Sequence, residues 1–185
     1  MSLPQRLNGY MASADPHVAA ANKIALLVAG NQPFYPLYLF ALVGHDAWPA
    51  LLTFVSTPFF IAVPALARCS SLGGRVMLLL AGLGNTVLCA RIFGTASGVE
   101  WFYVPCAIIA LMIFRRTEAW ARLSLTILPA LLFVGLSGRY GAPLQEFTGE
   151  QYGAIARINL FSALGLTAFL LLLIIRKSLT RVSRS

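Results

Sequence analysis

The side chains best placed for chemistry stand where prolines interrupt an apolar stretch. Residues 29–44 read AGNQPFYPLYLFALVG, which places the amides of Asn31 and Gln32 just before two prolines. A proline within a helix frees a backbone carbonyl, which needs a new donor where no water is present. This pattern favours a kinked helix whose amides face the interior of a bundle. The alternative is a ligand pocket lined by Asn31, Gln32, Tyr35 and Tyr38.

The next apolar segment also combines prolines with hydroxyl side chains. Thr53 and Thr57 lie between Pro49 and Pro64, and hydroxyls near prolines commonly return hydrogen bonds to the backbone. Two deformed helices side by side predict a cavity, and broken helices also form transporter sites. We therefore add Thr53, Thr57 and Asn85, which lies in the third apolar segment, to the candidate ligand site.

The sequence does not predict an enzyme. The six acidic residues are scattered, and the two histidines, His17 and His45, fall on opposite sides of the membrane in the topology given below. The three cysteines form no CxxC pair and have no histidine at metal-ligand spacing. A serine nucleophile would also lack a nearby base. We expect no catalytic residue, no metal and no cofactor.

Composition identifies the chain as a membrane protein. Of its 185 residues, 58% are hydrophobic and 11% are charged, whereas soluble domains carry about 25% charged residues. Its apolar segments suit a bilayer core of about 30 Å. We expect a single all-α domain over residues 1–185, a polytopic integral membrane helix bundle with six transmembrane helices. The spans lie at about 18–44, 47–67, 75–93, 99–114, 120–138 and 154–175.

Basic residues predict the orientation of these spans. They cluster in the turn after the second span, with Arg68 and Arg75, in the turn after the fourth, and in the tail. Because basic loops stay in the cytoplasm, we expect both termini there and the protein in a bacterial inner membrane. The net charge of +8 then reflects topology and contact with the lipid bilayer, not binding of nucleic acid. The candidate partner or lipid contacts are Arg115, Arg116, Arg176 and Lys177.

Local patterns predict how several spans begin and end. Asp15 precedes a proline, as an N-cap does, and Thr148 with Gln151 matches a capping box before the sixth span. Arg91 near the outer end of the third span and Glu100 at the start of the fourth are expected to form an ion pair or to anchor the helix ends. The tail RKSLTRVSRS is expected to be a flexible basic end.

Three stretches resemble the six-helix membrane modules that precede bacterial nucleotide cyclases and histidine kinases. They are NQPFYPLYLF in the first span, GNTVLCARIFG in the third, and EWFYVPCAIIALMIFRRTEAWARL across the fourth and fifth. The resemblance implies a sensory or regulatory role in the inner membrane, with a signal perceived among the helices and passed on through the last one. Ten residues follow Ile175, so we expect no output domain of that kind after the sixth span.

These observations lead to one expected function and two alternatives. We expect a non-enzymatic sensory or accessory module that acts through a partner, either another membrane protein or a second copy of the chain, or through an apolar ligand. The first alternative is a small transporter or channel-like protein with a pathway at spans one and two. The second is a structural subunit of a larger membrane complex. The charged turn at 115–116 and the tail at 176–177 are the expected transmission surfaces.

Overall fold

The described part of the chain is built from helices. A computed structural model describes residues 2–182, without the side chains of residue 3 and residues 176–182. Within this range there is no strand, so the predicted all-α class is confirmed. Three 3-10 segments lie between the helices, at Gly44–Ser56, Thr95–Ser97 and Val99–Phe102. The α-helices are α1 (Leu3–Met11), α2 (Pro16–Asn31), α3 (Phe34–Val43), α4 (Thr57–Cys69), α5 (Ser71–Phe93), α6 (Tyr103–Ile113), α7 (Ala119–Leu136) and α8 (Gly149–Val182).

Four stretches of the described chain are long and apolar enough to cross a membrane. They are Pro16–Cys69, Ser71–Phe93, Ala119–Leu136 and Gly149–Ile175, and a shorter apolar stretch is Val99–Ile113. The first stretch folds back on itself, because α2 packs on α4 and the Gln32 side chain donates to the Ser56 hydroxyl at 2.6 Å. It therefore supplies two segments that run along the bundle, which we call the first leg (residues 16–43) and the second leg (residues 44–69). The apolar helices agree with the prediction of a membrane protein.

The turns between the legs alternate between two ends of the bundle. Asp15, Ser71, Arg75, Arg115 and Glu118 contact one another at one end, which we call the charged end. At the opposite end, the turns near residues 44, 94–98 and 137–148 come together. Bonds between those turns include Arg91 to the carbonyl of Ala142, Gln151 to the carbonyl of Val43, and Asn159 to the carbonyl of Ser97.

The first two legs are broken where the sequence places its prolines. The α-helix stops at Asn31 and resumes at Phe34, and Gln32 and Pro33 between them keep right-handed helical dihedral angles, which agrees with the predicted kink. The chain then reverses at Gly44, whose φ of 71° is favourable for glycine. The second leg begins as a 3-10 helix that contains Pro49 and becomes α-helical at Thr57. Two neighbouring legs thus have irregular backbone at similar depth.

Helix ends follow the predicted capping chemistry. The Asp15 carboxylate accepts a hydrogen bond of 2.9 Å from the backbone N–H of His17, which confirms the N-cap of α2. Thr148 and Gln151 bond reciprocally at 2.9 and 3.3 Å, which confirms the capping box of α8. These short-range patterns are readable from sequence because both partners lie within one turn.

Two helical parts differ from the sequence expectations. Helix α1 was not expected, and it is held by Tyr10, whose hydroxyl donates to the carbonyl of Ile61 at 2.8 Å and whose ring packs beneath the Arg68 guanidinium. The tail was expected to be flexible, but α8 continues as a helix to Val182. No glycine or proline stands between residues 176 and 182 to end that helix.

Arg75 at the charged end is buried, which corrects its interpretation as a basic residue of an open turn. Its side chain is 1% exposed, and its two terminal nitrogens each donate to the Glu118 carboxylate at 2.6 Å. The remaining three N–H groups donate to the carbonyl of Ile113, the carbonyl of Ser71 and the Ser71 hydroxyl. All five guanidinium donors are therefore used, as burial of an arginine requires.

A second ion pair extends this network to α2. Arg115 contacts the Asp15 carboxylate at 2.5 Å, and the Ser71 hydroxyl donates to the same oxygen. The backbone N–H of Arg115 donates to Glu118, which completes the turn between α6 and α7. The hydrogen bonds from Arg75, reinforced by the N–H of Arg115, lower the pKa of the Glu118 carboxyl. The charged end therefore joins α2, α5 and the turn between α6 and α7.

Replacing Glu118 with glutamine should destabilise the fold, because it leaves the buried Arg75 charge without a counter-ion. Since the Glu118 side chain is still 19% exposed, we expect a loss of about 3 kcal/mol in the free energy of unfolding, at the lower end for broken buried pairs. The measurement is denaturant unfolding of the purified chain in detergent micelles. The matched control is Glu146→Gln at an exposed position of the opposite end, with an expected change within about 0.5 kcal/mol.

The same comparison has a pH dependence of known sign. Because the pKa of Glu118 is lowered in the folded chain, its stabilising effect is complete above its ordinary pKa of 4.5 and is lost as the pH falls through the lowered value. The difference between the natural chain and Glu118→Gln should therefore shrink below pH 4.5. A difference that is constant between pH 3 and pH 7 would contradict a charged Glu118.

Candidate functional site

A cavity of about 570 Å³ lies in the middle of the bundle. The break between α2 and α3 forms one wall, α5 forms the facing wall, and α6 and α8 complete the enclosure. It draws its lining from both apolar clusters of the core, one with Leu78 and Ile109 and the other with Cys89 and Val99. Its volume falls within the range of pockets that bind small molecules.

The cavity brings together six of the seven residues that the sequence assigned to a ligand site. Thr57 is the exception: it starts α4 and does not line the cavity, and its buried hydroxyl has no hydrogen-bond partner in the described structure. The expected cavity beside the two deformed legs is therefore present, whereas ligand binding by these residues stays a prediction. The six lining residues are Asn31, Gln32, Tyr35, Tyr38, Thr53 and Asn85.

The Gln32 amide does not repair the break at Pro33 and instead links neighbouring legs. Its nitrogen donates to the Ser56 hydroxyl at 2.6 Å, and that hydroxyl is 2.9 Å from the Asn85 side-chain oxygen. The Ser56 oxygen also lies 2.8 Å from the carbonyl of Thr53, in the 3-10 segment. This chain of hydrogen bonds ties the break in the first leg to the second leg and to α5.

Other polar groups of the lining have donors or acceptors that make no hydrogen bond within the described part of the chain. The side chain of Asn31 is exposed and makes no hydrogen bond to the described part of the chain. The hydroxyl of Tyr35 and the side-chain oxygen of Asn159 are both buried without a partner at hydrogen-bond distance. Tyr35 and Asn159 both line the cavity. A buried polar atom without a partner is costly, so this pair of groups is suited to a ligand.

Asn159 was missed by the sequence prediction. It is 0% exposed, and its nitrogen donates to the carbonyl of Ser97 at 2.9 Å, which leaves its oxygen for the cavity. The available signal was one asparagine within the apolar run of the sixth segment. Such a residue is a candidate for function in a membrane helix, but no spacing pattern connects it with Tyr35, which lies 124 positions earlier.

The cavity lining contains no residue that is charged at neutral pH. None of its 23 described residues is Asp, Glu, Lys, Arg or His. Cys89 and Cys106 both contribute to the wall and are free thiols. A charged group would enter this space without a counter-ion, at a high desolvation cost. The site is therefore suited to an uncharged molecule.

The predicted ion pair between Arg91 and Glu100 does not form in the described structure. The Arg91 guanidinium donates to the carbonyl of Ala142, and Glu100 accepts from the hydroxyl of Ser137 at 3.2 Å. Both partners come from the loop after α7, which folds back over this end and could not be placed from the spacing of Arg91 and Glu100 alone. Arg91 instead attaches that loop to the last turn of α5, and its role as an anchor of the helix end stays a prediction.

The predicted transmission residues lie away from the cavity. Arg115 is 47% exposed although it pairs with Asp15, and that contact raises the pKa of Arg115. Arg116 is exposed beside it. The side chains of Arg176 and Lys177 lie outside the described residues. The cavity and the charged turn therefore stand at different depths of the same bundle.

Comparison with known proteins gives a family assignment. The sequence model of the family MASE7 matches residues 8–142, which is most of the chain and runs from the end of α1 to the loop after α7. Searches of curated proteins and of solved structures give no significant match. The resemblance to sensory membrane modules is thereby confirmed. The chain belongs to the MASE7 family of membrane-associated sensor domains.

Proposed function

We propose that the chain is a non-enzymatic sensory module of a bacterial inner membrane that responds to a small molecule in its cavity and acts on a partner protein. The observation that carries this proposal is an uncharged cavity of about 570 Å³ at the centre of a membrane-associated sensor domain. Its walls hold none of the carboxylates, imidazoles or amines that general acid-base catalysis uses most often. Binding is the chemistry that such a lining favours.

Three of the elements that line the cavity also extend to the charged end. Helix α2 lines the cavity near Asn31 and begins beside Asp15. Helix α5 lines the cavity at Asn85, and Arg75 lies near the start of this helix. Helix α8 lines it from Asn159 onward and continues to Val182. A ligand that changes the spacing of these helices therefore acts on the charged end as well, which is the physical requirement for coupling two sites.

The exposed turn at the charged end is the proposed partner surface. Arg115 and Arg116 stand on it, and the tail with Arg176 and Lys177 follows the end of the same bundle in sequence. Basic side chains at this position can contact an acidic partner or anionic lipid headgroups. The partner is a second membrane protein or a second copy of the chain, and it carries the output that follows from the signal.

The proposed membrane topology has six spans and both termini in the cytoplasm. The alternation of turns between two ends and the basic residues of the charged end support it. A green fluorescent protein fused after Ser185 should be fluorescent, and alkaline phosphatase inserted in the loop at 139–148 should be active, because each reporter works on one side of the membrane. The exchanged reporters should both be inactive. The reverse pattern would contradict the orientation.

A transporter remains the second candidate because the two broken legs border the same cavity. Helices interrupted at mid-depth form the substrate sites of several transporter folds, and both the α2–α3 break and the 3-10 segment contribute lining residues. A transporter should move a solute into proteoliposomes and lose that flux in Asn31→Leu. A structural subunit, the third candidate, should keep its partner whatever occupies the cavity.

Charge reversal at the charged end should release the partner. We expect Arg116→Glu to reduce co-purification from native membranes in mild detergent by about tenfold, whereas Arg139→Glu, an exposed arginine near the opposite end, should leave it unchanged. A tenfold change corresponds to about 1.4 kcal/mol, which is reasonable for contacts of one exposed basic residue with a complementary surface. Recovery of the natural chain alone, or equal loss in both variants, would contradict the proposal.

A further inference from the structure

We propose that the ligand of the cavity is an uncharged amphiphile with a hydroxyl head group and an apolar body, which enters from the bilayer. This inference deepens the proposed sensory function and rests on it for its biological meaning. It is carried by the distribution of polar and apolar side chains along the cavity, by two buried unpartnered groups, and by the position of the cavity mouth.

Polar and apolar residues are separated along the length of the cavity. On α5, which runs away from the charged end, Leu78 and Leu79 come first and Asn85 follows. On α8, which runs in the opposite direction, Asn159 comes first and Phe169 follows. Both helices therefore place their apolar lining toward the charged end and their polar lining toward the opposite end.

The first leg shows the same order. Its lining begins with Leu27 and Val28 on α2 and continues with the polar residues from Asn31 to Tyr38. Three independent stretches of chain thus give the cavity one apolar half and one hydrogen-bonding half. Small-molecule sites commonly combine an apolar wall with a few polar groups that orient the ligand. An amphiphile fits this division with its head group toward the opposite end.

The unpartnered groups of the polar half define the head group. The Tyr35 hydroxyl is a donor that lacks an acceptor, and the Asn159 oxygen is an acceptor that lacks a donor within hydrogen-bond distance. A ligand hydroxyl between them accepts from Tyr35 and donates to Asn159, so it satisfies both. A carboxylate only accepts and would also bring a charge into a lining without a counter-ion.

The mouth of the cavity lies on the side of the bundle. Tyr38 and Leu27 line the cavity and are 51% and 46% exposed, so they stand at its edge. Leu27 lies near the middle of the first leg, which runs from residue 16 to residue 43, and Tyr38 lies five residues before the end of that leg. In the proposed topology this depth faces hydrocarbon, which dissolves neutral amphiphiles and excludes ions. The ligand therefore arrives through lipid.

Two glycines provide a matched pair of variants. A Cβ at Gly165 on α8 or at Gly84 on α5 meets no atom within 4 Å. Both glycines are exposed, but Gly165 lines the cavity and Gly84 does not. Gly165→Leu therefore adds a large side chain at the cavity wall, and Gly84→Leu adds the same side chain to a helix elsewhere. Tyr35→Phe removes the donor without changing the shape of the ring.

The test is a titration of the full-length chain in nanodiscs with 1-decanol, decane or decanoate at pH 7.5. The readout is the midpoint temperature of thermal unfolding, because a ligand that binds the folded state raises that temperature. We expect 1-decanol to bind at least tenfold more tightly than decane or decanoate, as one or two net hydrogen bonds allow. Tyr35→Phe should weaken 1-decanol about tenfold and leave decane unchanged. Gly165→Leu should abolish binding of 1-decanol, and Gly84→Leu should retain it.

Several outcomes would overturn the inference. Equal affinity for 1-decanol and decane would remove the hydroxyl assignment, and tighter binding of decanoate would remove the requirement for an uncharged ligand. Undiminished binding in Gly165→Leu, or no binding of any probe to the natural chain, would remove the cavity as the site. These results are independent of the partner measurement with Arg116→Glu, so a failure here and a failure of the proposed sensory function are distinguishable.

Discussion

The Arg75 guanidinium donates two hydrogen bonds of 2.6 Å to the Glu118 carboxylate, and this ion pair joins the start of α5 to the turn between α6 and α7. A charge as buried as Arg75 is tolerated because every one of its donors has a partner. Ser71 and Arg115 extend the contacts to Asp15 at the start of α2. The legs that enclose the cavity are therefore fixed to one another at their charged end, and their spacing at mid-depth depends on that attachment.

Because α2 and α5 each have one end in this network and line the cavity farther along the helix, the two regions share rigid elements. The cavity wall is also irregular, at the break between α2 and α3 and in the 3-10 segment Gly44–Ser56. Irregular backbone at this depth is tolerated in a membrane protein when it lines a cavity or is buried in protein. The same breaks that interrupt the helices thus provide part of the hydrogen-bonding half of the cavity, with Gln32 and Thr53.

Local chemistry explains which features the sequence could predict. The kink near Asn31, the N-cap at Asp15 and the capping box at Thr148 each depend on residues within one helical turn, and each was predicted correctly from the sequence. The membrane class followed from composition. Six of the polar residues that line the cavity were predictable as a group, because prolines mark deformed helices and two deformed helices side by side favour a cavity.

The features that the sequence did not reveal depend on distant partners. Arg75 was grouped with the other basic residues of a turn, because its pairing with Glu118, 43 positions away, leaves no local pattern. Arg91 and Glu100 are close in sequence, yet the loop after α7 supplies partners for both. Asn159 is one polar residue in an apolar run, and its importance depends on Tyr35 across the cavity. Long-range contacts, not propensities, determine each of these positions.

The most direct measurement is hydrogen exchange of the Arg115 amide, which donates to Glu118 at 2.8 Å and reports on the charged end. Adding 1-decanol to the full-length chain in nanodiscs should slow this exchange about fivefold or more, at the lower limit of usual coupling between sites. The same addition should have no effect on Gly165→Leu. Unchanged exchange at Arg115 while amides around the cavity become protected would contradict coupling between the cavity and the charged end.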